Sequence, residues 1–335
     1  MTAIANGGSQ RLASIDQVRG AVMVLMALDH VRWFFTNIST YQPETLAQTN
    51  LSLFLTRWVT HYCAPGFFLL AGIGIFLYGA KVADTRKLQH FLISRGLMLI
   101  ALELTIVGFS WVFTPGYSFG GVIWSLGWSF IFMAALVRLP RGWLAGLALG
   151  VILFHNLLDG VGVAGPGWGL FIWRWLYAPG VTDNYFILFP VVPWLAMMVL
   201  GYVLGSWYKK PLAERRRFFI RLGWAAIAAF LMLRVSNLYG NPESLFLSAK
   251  TAGDFALQGN LGKTIINLLN VEKYPPSLLF TLMTLGPIFL WLGYSKLDSS
   301  GTSPSFFSRA MVLFGRVPLF YYVLHLYLIH LMALA

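Results

Sequence analysis

The residues able to do chemistry in this chain are ionisable side chains set inside long apolar runs. The first run holds Arg19, Asp29 and His30. In lipid such groups are costly, and they mark a site, an ion path or a structural pair. Three turns of α-helix separate Arg19 from His30, which puts the two on one face within about 20° and about 16 Å apart along the axis. A guanidinium suits a phosphate; an imidazole suits proton transfer. The axial distance compares with the pantetheine arm of coenzyme A, so one helix can hold the nucleotide end of such a donor at one membrane face and present its thioester to His30. Plainer readings stand beside these. Arg19 can be a snorkelling interface residue, and His30 a buried histidine bonded to a carbonyl or a neighbouring helix. Asp29 projects about 100° away from His30, towards Arg32 or a cation on another helix.

Other runs repeat the depth pattern. Arg95 and Arg316 enter from the same side as Arg19, while Glu103, His155, Asn156 and His325 lie deeper. His61, Asp159 and His330 stand towards the far face. His155 and Asp159 have i,i+4 spacing, so the carboxylate can orient the imidazole. Structural ion pairing is the alternative for each, although Arg95 and Glu103 are too far apart on one helix to pair. There is one cysteine, Cys63, which excludes a disulfide or thiolate cluster within the chain. No metal is expected, although His30, His155 and His325 could converge. Phosphate-loop, nucleophile-elbow and zinc-protease motifs are absent.

The elements that must position these residues are membrane helices. Of 335 residues, 58% are hydrophobic and 11% charged, with a mean hydropathy of +0.69; lipid is the solvent for most side chains. Apolar runs of span length predict nine helices, near 15–36, 59–79, 88–113, 119–137, 143–158, 186–207, 218–237, 276–296 and 310–334. Ser14 and Gln17 fit a capping box at the start of the first. No cleavable signal peptide precedes it. The abrupt apolar end, Leu331–Ala335, leaves room for a tenth span. The stretch Leu170–Tyr177, with Trp173 and Trp175 beside Arg174, reads as an interfacial segment.

With the N-terminus cytoplasmic, 13 of the 24 Lys and Arg fall in inner segments and 5 in outer ones: Arg57, Arg174, Lys250, Lys263 and Lys273. This bias places the N-terminus inside. It also accounts for much of the +12 net charge, so no nucleic-acid partner is inferred. The longest connections, 37–58, 159–185 and 238–275, all lie outside and carry Trp58, Trp168, Tyr185, Tyr239 and Tyr274. That composition suits a sugar, and it equally suits an aromatic belt at the membrane interface. No internal repeat or low-complexity tract is present.

Several segments together carry a family resemblance: residues 11–20 (RLASIDQVRG), 26–32 (MALDHVR), 61–72 (HYCAPGFFLLAG), Arg95-Gly96 with Glu103, 154–160 (FHNLLDG), 273–277 (KYPPS) and 314–320 (FGRVPLF) with His325. In this order the chain, over almost its whole length, resembles the bacterial relatives of heparan-alpha-glucosaminide N-acetyltransferase. The resemblance implies a single transmembrane acyltransferase domain that moves an acyl group from cytoplasmic acyl-CoA to an extracytoplasmic glycan, and suggests a homodimer. Arg19 and His30 also match the Arg-x10-His pattern of the wider transmembrane acyltransferases. The lysosomal enzymes have Asn in place of His30, with their essential histidine later in the chain; His61 lies in that general region.

The expectation is therefore an all-α polytopic bundle in a bacterial inner membrane, acting as an acetyl-CoA-dependent O- or N-acetyltransferase on a sugar. Arg19, Arg95 and Arg316 would hold the donor's phosphates. His30, beside Asp29, would take the acceptor's proton or carry the acyl group, with His155 the second choice. The rival is a transporter or flippase of an anionic or lipid-linked glycan, using the same charges and helices broken at Pro190, Pro193 and Pro287. Inverted repeats would favour it, and none is seen. A structural scaffold accounts for neither the buried ions nor the motifs.

Overall fold

The computed structural model describes residues 12–36, 43–114, 119–162, 167–182, 185–241, 253–299 and 304–335. Arg11 and Lys250 fall outside the described residues. The elements are α1 (Ala13–Phe35), α2 (Leu51–Trp58), α3 (Cys63–Val82), α4 (Thr85–Leu102), α5 (Gly108–Val112), β1 (Phe119–Gly120), α6 (Val122–Leu136), α7 (Arg141–Phe154), α8 (Trp168–Leu176), β2 (Gly180–Val181), β3 (Phe186–Ile187), α9 (Val191–Gly205), α10 (Leu212–Ser236), α11 (Leu261–Leu269), α12 (Leu278–Tyr294), α13 (Phe306–Arg316) and α14 (Pro318–Leu334). Helix covers all nine predicted spans. The three short strands form one sheet in the order β1-β3-β2.

Five helical segments are long and apolar enough to cross a membrane: Leu51–Val82, Thr85–Val112, Arg141–Leu158, Val191–Lys209 and Leu212–Ser236. The fold is an all-α polytopic bundle. α6 and α12 are apolar but shorter. α1 has the length, 23 residues, but Asp16, Arg19, Asp29 and Arg32 interrupt its apolar character. The ninth predicted span is not one straight helix: α13 and α14 meet at a bend of 93°. Pro318 disfavours helical backbone at Val317 and is itself well placed as a first helical residue. Pro190 and Pro193 likewise stand at the start of α9 and do not break it; Pro287 is internal to α12.

α1 packs on α3, α13 and α14 and leaves Val24, Leu28, Val31 and Trp33 exposed on its other face. Its crossing with α13 needs glycine on both sides. A Cβ on Gly20 would lie 1.7 Å from the Met311 carbonyl oxygen, and one on Gly315 would lie 1.8 Å from that of Asp16. The predicted Ser14–Gln17 capping box does not form. Ser14 donates its backbone N–H (3.0 Å) and hydroxyl (2.5 Å) to Asp298, which Arg215 also binds at 2.7 Å. Gln17 donates to Ser308. A remote carboxylate thus serves the positive end of α1 better than its own side chains do.

Two further devices hold the loop between α11 and α12. Arg234, buried in α10, donates to the carbonyls of Gly253, Asn267, Leu268 and Asn270, closing the C-terminal end of α11. Asn156, in the helical turn after α7, accepts the Leu278 N–H at 2.8 Å. Residues 270–274 are pinned from both ends.

Candidate functional site

A cavity of about 350 Å³ opens where α1, α2, α3, α5, α14 and the 270–274 loop meet, with Phe119 and Phe186 of the small sheet on one side. Asp29, His30, Arg57, His61, Lys273 and Tyr322 are on its wall. Most of the remaining lining is apolar, as in a ligand pocket that orients its guest through a few polar groups.

His30 is buried and packs edge-on against Trp111 and Tyr322. Its Nδ1 lies 2.7 Å from Nε2 of His325 on α14, and the ring planes differ by 5° with centroids 4.9 Å apart. The two imidazoles therefore lie side by side in nearly one plane, joined edge to edge. The tautomers follow from the next bond. His325 Nδ1 is 2.7 Å from the Tyr321 carbonyl oxygen, which can only accept, so His325 Nδ1 carries a proton. In the neutral ring its Nε2 is then a lone pair, His30 Nδ1 must donate to it, and His30 Nε2 keeps the free lone pair. The arrangement is that of a base oriented by a second group.

Asp29 is not that second group. Arg57 of α2 binds both its oxygens, at 2.8 and 2.9 Å, and Arg32 binds it at 2.9 Å. Arg57 also donates to Glu44 at 2.6 Å. Burial alone would raise the Glu44 carboxyl, but the Arg57 guanidinium outweighs it and holds the group below its ordinary value. Arg57 counted in the sequence only as an outer-segment charge; it is the hub that fixes α2 and the 43–50 loop over the cavity.

His155 does not line this cavity. Its carbonyl accepts from the Tyr177 hydroxyl at 2.6 Å, and it bonds the backbone of Pro276. Asp159 accepts from Tyr177 and Asn156, so it reaches the imidazole only through the phenol. Burial, the largest influence, keeps the Asp159 carboxyl above its ordinary value despite these two donors. The His155-Asn156 pair thus clasps the segment that leads into α12. Of the three central histidines, His30 and His325 converge and His155 stands apart.

The three arginines at the other end do not surround one space. Arg19 donates to Asp16 at 2.9 Å and to the Gly315 carbonyl at 3.1 Å. Arg316, at the α13–α14 bend, has Nε 3.9 Å from Asp16, and its side chain is 52% exposed. Arg95 is exposed on α4, over the Phe91 ring at 5.5 Å, and α4 packs on α6. A second cavity, of about 410 Å³, lies nearby against Gln17, Trp291, Lys296 and Ser308; none of the three arginines lines it. Glu103, predicted as a deep ionisable group, accepts the Trp124 N–H at 3.2 Å and caps the start of α6. His330 is bonded to the Ser110 carbonyl.

The bundle of membrane helices thus holds a hydrogen-bonded histidine pair, one member of which, His30, lines a buried cavity. The sequence matches the family described as heparan-alpha-glucosaminide N-acetyltransferase, catalytic, over residues 11–238, and the chain belongs to that family. It is thus a multi-pass membrane protein of an acetyltransferase family. No curated protein matches the chain. The family match ends before the 273–277 and 314–320 segments through which the resemblance read from the sequence was extended, so Lys273, Tyr322 and His325 lie outside it.

Proposed function

We propose that the protein transfers an acetyl group from acetyl-CoA, approaching from the cytoplasm, to a hydroxyl or amine of a sugar that enters the cavity from the outer side of a bacterial inner membrane. The observation that carries this reading is the His30–His325 pair, which leaves an unprotonated His30 Nε2 on a cavity wall. The acceptor's oxygen or nitrogen attacks the thioester carbonyl carbon as its proton passes to His30 Nε2. The imidazolium so formed keeps its Nδ1–H bond to His325, which spreads the new charge. Collapse of the tetrahedral intermediate breaks the carbon–sulfur bond, and the proton on His30 goes to the departing thiolate. The products are the acetylated sugar and free coenzyme A.

Arg19 and His30 support the donor's path. Both point from the same face of α1 towards α13 and α14, as the bonds to Gly315 and His325 require. Arg19 and Arg316 would meet the donor's phosphates, and Arg95 would do so from α4. With the N-terminus cytoplasmic, these cations lie at the inner surface. Reporter fusions should then place Lys209–Arg217 inside and residues 253–275 outside; the reverse result at both points would overturn the sidedness.

The transporter reading differs in one product. Full-length protein incubated with acetyl-CoA and a panel of amino sugars should release coenzyme A thiol, read with a thiol-reactive chromophore, only when an acceptor is present. Acetyl-CoA should also raise the melting temperature. Absence of both effects would remove the acetyltransfer reading in favour of transport.

A further inference from the structure

The charges around the cavity do not all pair with one another. Arg57 is taken up by Asp29 and Glu44, and Arg32 by Asp29. Glu272 accepts the Tyr274 N–H at 2.9 Å. Lys273 is the exception. It is 8% exposed, lines the cavity and rests over the Tyr274 ring at 5.0 Å, but among the described residues it forms no ion pair. An ammonium held away from bulk water without a bonded anion is costly unless a ligand supplies one, and this one sits on a loop pinned from both ends.

His61 shares the wall. It is 1% exposed, packs edge-on to Phe280, and its Nδ1 has no hydrogen-bond partner among the described residues. Neither group is needed to orient His30, whose partner is His325. An ammonium with three donors and a nearby imidazole edge, both facing one space, make a receptor for an oxyanion. Asp29 faces the same space; two guanidiniums bond it, and the Lys273 ammonium is within its electrostatic reach without bonding it.

We propose that Lys273, with His61, is the binding subsite for an anionic group on the acceptor: a carboxylate of an acidic sugar or a phosphate on a sugar. This rests on the acetyltransfer reading, and it names the substrate class. The anion would anchor the sugar at the 270–274 loop while its hydroxyl or amine reaches His30 across the cavity. The charge then serves recognition, and the base serves transfer.

The test is a binding measurement, separate from turnover. Affinities of the full-length protein for glucuronate, glucose 1-phosphate and neutral glucose are compared by calorimetry in detergent. At least one anionic sugar should bind tenfold or more tighter than glucose. Preference for glucuronate identifies a carboxylate, and preference for glucose 1-phosphate a phosphate. Lys273→Met should abolish the preference and leave glucose affinity unchanged, while Lys273→Arg should keep part of it and guards against a variant that fails to fold. Equal affinity for all three sugars in the unsubstituted protein overturns the subsite, as does a preference that survives in Lys273→Met. Thiol release with some acceptor but no anionic preference would sink the subsite alone; anionic preference without thiol release would sink only the acetyltransfer reading.

Discussion

The two ends of α1 treat charge differently. At its N-terminal end, Asp298 joins Ser14 to Arg215, and Asp16 holds Arg19, with Arg316 near by. Charges there close on one another and tie α1 to α10 and α13. At the C-terminal end, the guanidiniums of Arg57 and Arg32 are satisfied, but His30, His61 and Lys273 line a cavity. On the proposed reading, the contrast teaches that the acceptor side is built in advance, whereas the donor side would have to loosen an existing contact before holding a phosphate. Preorganised groups are worth more to a transition state than groups that must first rearrange, so the largest substitution effects belong at the outer cavity.

The sharpest break in that comparison is His30→Ala. It should lower acetyl transfer by about two to four orders of magnitude and leave acetyl-CoA affinity and monodispersity nearly unchanged, because His30 stands far from Arg19. His325→Ala should lower the rate less, since it removes the orienting partner and leaves the base. His155→Ala should act mainly on melting temperature, through the loop it clasps. Near-normal turnover in His30→Ala beside a dead His155→Ala with normal stability would move the site off this cavity.

Next comes Arg57, the hub of the outer wall. Arg57→Ala leaves the half-buried Glu44 without its counter-charge and Asp29 with Arg32 alone, and should cost about 3 kcal/mol of stability, read by thermal or denaturant unfolding in detergent. Arg57→Lys should recover only part, because one ammonium cannot reproduce a fork that serves two carboxylates. The Glu44 carboxyl is held below its ordinary value. Its contribution is therefore complete above the unfolded carboxylate pKa and lost as pH falls through the lower folded one. Glu44→Gln should flatten the acid limb of stability, and an unchanged limb would show that the pair contributes little.

Much of this was legible from residue types and spacing, and the illegible part has a physical cause. Apolar run length located the helices, because lipid admits few alternatives to a helix, but five of them are long and apolar enough to cross a membrane and the ninth run is two helices joined at a bend. Helical pitch put Arg19 and His30 on one face, and that face does meet α13 and α14. The partner of His30 was legible only as a pair of candidates: depth allowed His155 and His325 to converge on it, and only the fold selects His325, 295 positions away. Arg57 looked like a loop charge because its burial depends on Glu44 and Asp29 folding over it. The capping box failed because a local Ser–Gln pattern cannot anticipate Asp298, a stronger acceptor brought in by tertiary packing. The bend at Val317 was foreshadowed by Pro318, whose effect on the preceding residue the hydropathy run obscures.

The smallest effects should come from the arginines at the inner end, and their order tests the other half of the comparison. Arg19→Ala should weaken acetyl-CoA binding about tenfold, the loss expected for one charge-assisted contact, reduced by whatever the donor must spend in displacing Asp16. Arg316→Ala should do less, since a side chain that is 52% exposed acts through screened solvent. Arg95→Ala should have the least effect of the three. It lies over Phe91 on α4, and α4 is locked to α6 by the contact of Gly96 with Gly127, away from the α1–α13 crossing. Asp16→Asn sharpens the point: releasing Arg19 from its carboxylate should tighten donor binding if that contact is what the phosphate must displace. Measured acetyl-CoA affinities in which Arg95→Ala is the worst binder would instead put the donor against α4 and α6. The shared face of Arg19 and His30 would then be a matter of helix packing alone.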